Sequence, residues 1–142
     1  MKMKKGHMDL VNDARTRIKT ISIDEAKEMY GKNDVVFVDL RDVRELDREG
    51  MIVGAVHAPR GMLEFWVDPE SPYHRDVFSS GKTFVFYCAS GWRSSLATDA
   101  MQEMGLEPVC QIGEGFTGWR DAGGAVGERP KKQKPAEKEE KK

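Results

Sequence analysis

Two apolar runs limit what this chain can fold into. V-V-F-V-D-L (35–40) and T-F-V-F-Y-C (83–88) show almost no alternation of polar and apolar residues. A strand with one solvated face alternates. A strand without alternation is buried on both faces and belongs to a mostly parallel sheet covered by helices. Parallel neighbours need long crossovers between them, and helical patterns lie where those crossovers must run. R-D-V-R-E-L-D-R-E-G follows the first run as a short charged helix closed by Gly50. Arg93–Met104 follows the second, with Leu96, Ala97, Ala100, Met101 and Met104 spaced along one helical face and Gly105 as the stop.

The alternation continues through the rest of the chain. I-K-T-I-S-I (18–23) reads as a first strand. Ser22, with Glu25 three residues on, forms a capping box that starts a helix reaching Tyr30, and Gly31 ends it. A-V-H-A-P (55–59) is a short strand ended by Pro59, P-V-C-Q-I (108–112) is a last one, and G-F-T-G-W-R-D-A is a closing helical segment. The predicted class is α/β, with a mostly parallel sheet covered on both faces. In such sheets ligands bind beyond the carboxyl ends of the strands, and Cys88 stands at such an end.

Composition sets the outer bounds. With 142 residues, 39% of them hydrophobic, the chain builds one domain around a single core. Charged residues make up 33%, yet the net charge is −1, which gives no electrostatic ground for nucleic acid or an anionic membrane as partner. No apolar run approaches the length of a membrane span. The start, M-K-M-K-K-G-H-M-D-L, is basic without the apolar stretch of a signal peptide, and G-H-M (6–8) has the form of a cloning scar. The expectation is a cytoplasmic protein with a flexible segment over 1–17 and a folded domain over 18–127. From Glu128 to Lys142 the tail has no large apolar residue and is expected to be disordered, as a solubilising tail or a weak docking segment.

Cys88 and Cys110 make neither a disulfide framework nor a C-x-x-C pair, and His7, His57 and His74 fit no metal-ligand spacing. No metal site is expected from these spacings.

The stretch Y-C-A-S-G-W-R-S-S (87–95) carries the chemistry. A strand that passes at once into a helix turns the chain sharply, and the N–H groups of the loop and of the first helical turn then converge on an anion. Gly91 permits the positive φ such a turn demands. Arg93 brings a permanent charge with a fork of donors suited to oxyanions. A cysteine at the base has its thiolate stabilised and becomes a nucleophile. The competing reading of Cys88 is packing, since cysteine is among the most buried residue types. The context of buried strand, glycine, arginine and helix favours function. Cys110, inside an apolar strand with no such turn, is assigned to the core.

Four segments resemble the rhodanese family of sulfurtransferases. V-D-L-R-D-V-R-E-L (38–46) is similar to the family's D-x-R-x-x-x-E segment. G-M-I-V-G-A-V-H-A-P (50–59) is similar to its G-H-I-x-G-A-x-x-x-P segment, with Met51 where the family often has histidine. C-A-S-G-W-R-S (88–94) resembles the active-site loop, and G-E-G-F-T-G-W-R-D-A-G-G-A-V (113–126) the closing glycine–tryptophan motif. The resemblance implies a three-layer α/β/α domain with a five-stranded parallel sheet in strand order 3-2-4-5-1. It also implies a mechanism. Cys88 takes the outer sulfur of thiosulfate or a related persulfide donor, becomes a persulfide, and passes that sulfur to a thiophilic acceptor such as cyanide or a thiol. The mechanism so implied requires no metal or organic cofactor, and its partners are a small-molecule sulfur donor and acceptor, with a protein sulfur acceptor as a further candidate.

Site roles follow from the resemblance. Ala89, Ser90, Gly91, Trp92 and Arg93 supply backbone N–H groups to the bound sulfur and oxyanion, and Arg93 attracts the donor. Ser90 and Ser94 add hydroxyls, or act as solvated or capping residues. Trp92 forms the pocket rim or packs on the helix. Asp39 and Arg41 buttress the loop. Glu45 is a solvated or salt-bridged helix residue, and His57 a strand residue. G-M-L-E-F-W-V-D-P-E-S-P-Y-H-R (61–75) is a lid helix whose Phe65, Trp66 and Tyr73 fill core or wall the pocket.

Two other readings compete. One is a cysteine phosphatase or arsenate reductase; the cell-cycle phosphatases, of similar fold, carry H-C-x-x-x-x-x-R, with five residues between cysteine and arginine. This chain has four and places Tyr87 before the cysteine. A non-catalytic or sulfur-carrier module that binds proteins is the other, and it uses the same loop.

Overall fold

A computed structural model describes residues 1–130. Five parallel strands form the central sheet: β1 (Thr20–Ile21), β2 (Val35–Asp39), β4 (Val56–His57), β5 (Thr83–Tyr87) and β6 (Val109–Ile112). They lie in the order β1-β6-β5-β2-β4. Counted as the five strands expected from sequence, this is the order 3-2-4-5-1, read from the other edge. A small antiparallel pair, β3 (Met51–Ile52) with β7 (Val126–Gly127), joins the segment after the first charged helix to the end of the domain. Two residues each gave it no pattern to read in the sequence.

Alternation along the buried strands feeds two cores. Val38 of β2 and Phe84 and Phe86 of β5 face one side, with α4 (Leu63–Val67) and α5 (Trp92–Met104) over them. Phe37, Val85 and Tyr87 face the other, under α2 (Ile23–Met29) and α6 (Gly115–Asp121). Burial on both faces is therefore literal, and three layers result. The crossover after β2 carries α3 (Val43–Glu49), which seats Leu46 in the interior.

Helix starts follow the sequence closely. Ser22 Oγ accepts the Glu25 N–H at 3.1 Å while the Glu25 carboxylate accepts the Ser22 N–H at 2.9 Å. Such a cap is worth about 1 kcal/mol. Because Ser22 is the cap, Ile23 belongs to the helix, and the first strand is shorter than the expected 18–23. Asp42 and Glu45 make the same reciprocal arrangement at the start of α3.

Three expectations are corrected. The N-terminal segment is a helix, α1 (His7–Arg15), docked along α5 rather than flexible. Val11 and Ala14, one turn apart, are buried there, and Arg17 holds Asp99 of α5 through both carboxylate oxygens at 3.0 and 2.7 Å. On α5, Met104 is exposed, while Ser94, Ser95 and Thr98 are fully buried. Ser94 and Ser95 of its first turn are committed to polar partners under the cysteine loop. In the 61–75 segment Leu63 and Val67 fill core and Trp66 packs against it, but Phe65 and Tyr73 are exposed. The charged tail is held at its start, where Arg129 bonds Asp47 at 2.8 Å. The rest of that tail, 131–142, lies outside the described residues. Among the described residues no helix is long and apolar enough to cross a membrane.

Candidate active site

β5 is the middle strand of the sheet, and Cys88 follows its last residue directly. The neighbouring strands end beside it, with Asp39 of β2 in register with Tyr87. One residue at the carboxyl edge is thus flanked by the loops of both neighbours.

The turn from Cys88 into α5 is built around its sulfur. Gly91 N–H donates to Cys88 Sγ at 3.2 Å and Ser94 N–H at 3.3 Å. Gly91 has φ 97°, and a Cβ there would lie 2.4 Å from the Gly113 carbonyl oxygen, so only glycine fits. The loop carbonyls are held from behind. Cys88 O accepts the Phe116 N–H at 2.8 Å and Ala89 O the Thr117 N–H at 3.2 Å, both from the first turn of α6. Gly115 lets α6 come this close: a Cβ on it would sit 2.5 Å from Ala89 O. In a trans peptide the N–H points opposite to the C=O. Carbonyls turned toward α6 therefore turn the Ala89 and Ser90 N–H groups the other way. The N–H groups of Ala89, Ser90, Trp92 and Arg93 have no acceptor among the described residues. Together these features form an anion cradle over a sulfur that already takes two donors.

Both cysteines are buried, Cys88 at 1% exposure and Cys110 at 4%, so burial does not separate them. Their partners do. Cys110 lies in β6 within the apolar core, and burial pushes its thiol up to about 11. Cys88 has the two N–H donors and a serine hydroxyl at 3.4 Å.

That hydroxyl belongs to Ser94. It accepts from Cys88 and donates to Gln111 Oε1 at 2.6 Å. Gln111 donates from Nε2 to Ser95 Oγ at 2.9 Å and to Thr20 Oγ1 at 3.1 Å, and Ser95 Oγ donates to Gly91 O at 2.5 Å. Every polar atom of the Gln111 amide is used. Sequence reasoning missed Gln111 and Ser95. The available signal was a glutamine inside V-C-Q-I, since a fully buried amide must find partners.

Arg93 is brought to the loop but is not unpaired. Its guanidinium donates to both Glu45 oxygens, at 2.7 and 3.1 Å. The Arg93 hydrogen bond holds the Glu45 carboxyl below its usual range, and Glu45 in turn raises Arg93. Of the two readings offered for Glu45, the salt-bridged one is correct. Trp92 is half-exposed, with its ring 5.2 Å from that of His7. Ser90 is exposed.

Asp39 and Arg41 sit behind the loop as a fully buried ion pair, 2.8 Å apart. Arg41 also donates to Gly50 O at 2.7 Å and lies 4.1 Å from the centre of the Phe116 ring. Phe116 is the residue whose N–H holds Cys88 O, so the pair reaches the loop through α6 rather than by touching the sulfur. His57 donates from Nε2 to Arg41 O, 2.7 Å away, and stays in its strand. Burial raises the Tyr87 phenol far above its ordinary range, so it is a neutral hydroxyl that accepts the Ile52 N–H.

Comparison with known proteins fits this geometry. The family model for the rhodanese-like domain matches residues 22–122. The chain belongs to the rhodanese family. Over 106 residues it is 24% identical to a thiosulfate sulfurtransferase/rhodanese-like domain-containing protein 3 from Mus musculus, covering 71% of this chain and 68% of that one. Among solved structures, it is 46% identical to a protein of unknown function from Rhodopseudomonas palustris CGA009, described as a "Possible Tyrosine Phosphatase". The TM-score there is 0.85, over 89% of this chain and 98% of that one. A thiosulfate sulfurtransferase from Pseudomonas aeruginosa shares the rhodanese fold at 19% identity and TM-score 0.65, over 79% of this chain and 20% of that one. The rhodanese-like match begins after α1, which makes the helix docked on α5 an addition to the matched region.

Proposed function

We propose that this rhodanese-family protein transfers sulfane sulfur through a persulfide on Cys88. The observation that carries the reading is the amide cradle around Cys88 Sγ, with two N–H groups on the sulfur and four more without an acceptor among the described residues. In the first half-reaction the thiolate attacks the outer sulfur of thiosulfate. The new S–S bond forms as the old one breaks, and sulfite leaves with the electron pair. In the second, cyanide or a thiolate attacks the terminal sulfur of the persulfide, giving thiocyanate or a new persulfide and returning the Cys88 thiolate. Splitting the transfer this way predicts ping-pong kinetics. The N–H groups of the turn stabilise the negative charge on the sulfur and on the donor's oxygens. Asp39 and Arg41 support the loop through Phe116. A related persulfide donor or a protein acceptor uses the same two steps, and a sulfur-carrier role is the first step followed by handover to another protein.

Intact mass after thiosulfate treatment tests this. The expected result is a gain of one sulfur atom that maps to Cys88 and is discharged by cyanide. No adduct from thiosulfate or from an alkyl persulfide overturns it.

The description given to the Rhodopseudomonas protein motivates a second reading, phosphoryl transfer from a tyrosine or similar ester. The loop argues against it. Four residues between Cys88 and Arg93, with α5 starting at Trp92, leave a cradle whose N–H groups close directly on the sulfur. Hydrolysis of p-nitrophenyl phosphate that depends on Cys88 supports the phosphatase, and none is expected.

A further inference from the structure

We infer that Arg15, on the helix that precedes the matched rhodanese-like region, is a positioning residue of the cysteine loop. Its guanidinium reaches the turn in two places. Nε donates to Ser95 Oγ at 3.0 Å and Nη2 lies 3.5 Å from Gly91 O. The fit is close: a Cβ on Gly91 would lie 2.9 Å from Arg15 Nη2. Arg15 has no carboxylate partner among the described residues, unlike Arg93, which Glu45 neutralises.

The contact matters because of what Gly91 O does. This carbonyl takes the Ser95 hydroxyl at 2.5 Å, the Ser95 N–H at 3.1 Å and Arg15 Nη2 at 3.5 Å. Fixing the carbonyl fixes its peptide plane, and the Trp92 N–H on the same plane is turned in the opposite direction. That N–H is one of the donors without an acceptor among the described residues. Ser95 Oγ accepts from Arg15 and from Gln111 and donates to Gly91 O. A hydroxyl that accepts from a cation is polarised and donates more strongly. From Ser95 the network continues through Gln111 to Ser94, whose N–H and hydroxyl touch Cys88 Sγ. Arg15 therefore acts on the loop from behind: it holds the Gly91–Trp92 peptide and places an uncompensated positive charge near an anion site.

This inference rests on Cys88 as the reactive group of the site, as in the proposed function, but one arm of its test does not require sulfur transfer. The proteins are Arg15→Met, Arg15→Lys and a control, Arg17→Met, all with Cys110→Ser so that one thiol reports. Arg17→Met removes a second polar tie to α5, the ion pair with Asp99 made just beyond the end of α1, and leaves the loop untouched. The first readout is the rate of sulfur uptake from thiosulfate by intact mass. The second is the ratio of Cys88 alkylation rates by anionic iodoacetate and neutral iodoacetamide, which measures how well the cradle receives an anion. Arg15→Met should lower both by about fivefold, as expected for a partly solvated charge-assisted contact. Arg15→Lys should recover part of the loss, and Arg17→Met should leave both within about twofold of the parent. Equal losses in Arg15→Met and Arg17→Met reduce Arg15 to helix docking and overturn the inference, as does no loss in Arg15→Met. If the parent takes up no sulfur but its iodoacetate preference still depends on Arg15, the sulfurtransferase reading falls and the role of Arg15 stands.

Discussion

Arg93 gives its guanidinium to both oxygens of Glu45, at 2.7 and 3.1 Å. The guanidinium is thus already paired with a carboxylate. A dianionic donor must either displace Glu45 or bind to backbone N–H groups beside a neutralised pair. Glu45→Gln keeps a side chain able to cap α3 and removes the competing charge. The apparent KM for thiosulfate should fall by about threefold to fivefold, the range of a partly exposed ion pair, with kcat little changed. Steady-state kinetics at fixed cyanide measure this. A rise in KM means that Glu45 positions Arg93 rather than competing for it.

The same pair sets a pH dependence of stability. Hydrogen bonding by Arg93 lowers the Glu45 pKa in the folded state. A lowered carboxylate contributes stability in full above its unfolded value, about 4.3, and loses it as pH falls through the folded one. The wild-type protein should therefore exceed Glu45→Gln in Tm near neutrality, with the gap closing below about pH 4. Thermal melts from pH 7 to pH 3 show it. A gap that stays constant across that range removes the linkage.

Much of the frame was legible because it depends on patterns with one physical solution. V-V-F-V-D-L and T-F-V-F-Y-C had to be buried on both faces, and Ser22–Glu25 had to start a helix. The strand order came from the rhodanese resemblance, not from the patterns, and the sheet matches it. What escaped was specified by pairing across the fold. Arg15 and Ser95 lie 80 positions apart, and nothing local to either says that they meet. α1 was missed because its burial rests on two small side chains, Val11 and Ala14, in a strongly charged segment. Gln111 was visible as an anomaly in an apolar strand, but its three side-chain partners, Thr20 of β1 and Ser94 and Ser95 of α5, appear only once the chain is folded. Cys88 was singled out by its turn, and that turn supplies the two N–H donors that Cys110 lacks.

The two thiols should therefore behave oppositely. Cys110, with its thiol pushed up to about 11 by burial, remains protonated at pH 8 and lies behind β-sheet packing. Cys88→Ser should abolish thiocyanate formation, while Cys110→Ser should retain it within about twofold, since Cys→Ser in a core costs stability rather than chemistry. Thiocyanate assays on the two variants decide the point. Undiminished product from Cys88→Ser removes it as the nucleophile.

The sharpest demand on the loop falls at Gly91. Its φ of 97° is unfavourable for any residue with a Cβ, and that Cβ would press to 2.4 Å from Gly113 O and 2.9 Å from Arg15 Nη2. The backbone of Gly113 cannot swing away as a flexible side chain could, because its N–H is bonded to Ile21 O at 3.2 Å. Gly91→Ala must therefore shift the turn, withdrawing its own N–H from Cys88 Sγ. The strain should cost about 1–3 kcal/mol of stability. Sulfur uptake should fall further than that loss accounts for, by at least about tenfold at temperatures where the variant is still fully folded, since losing one preorganised donor at a charged site costs a comparable factor or more. Chemical denaturation gives the first number and intact-mass uptake rates the second. A variant that is destabilised but takes up sulfur at the parental rate shows that the Gly91 N–H shapes the turn without serving the sulfur.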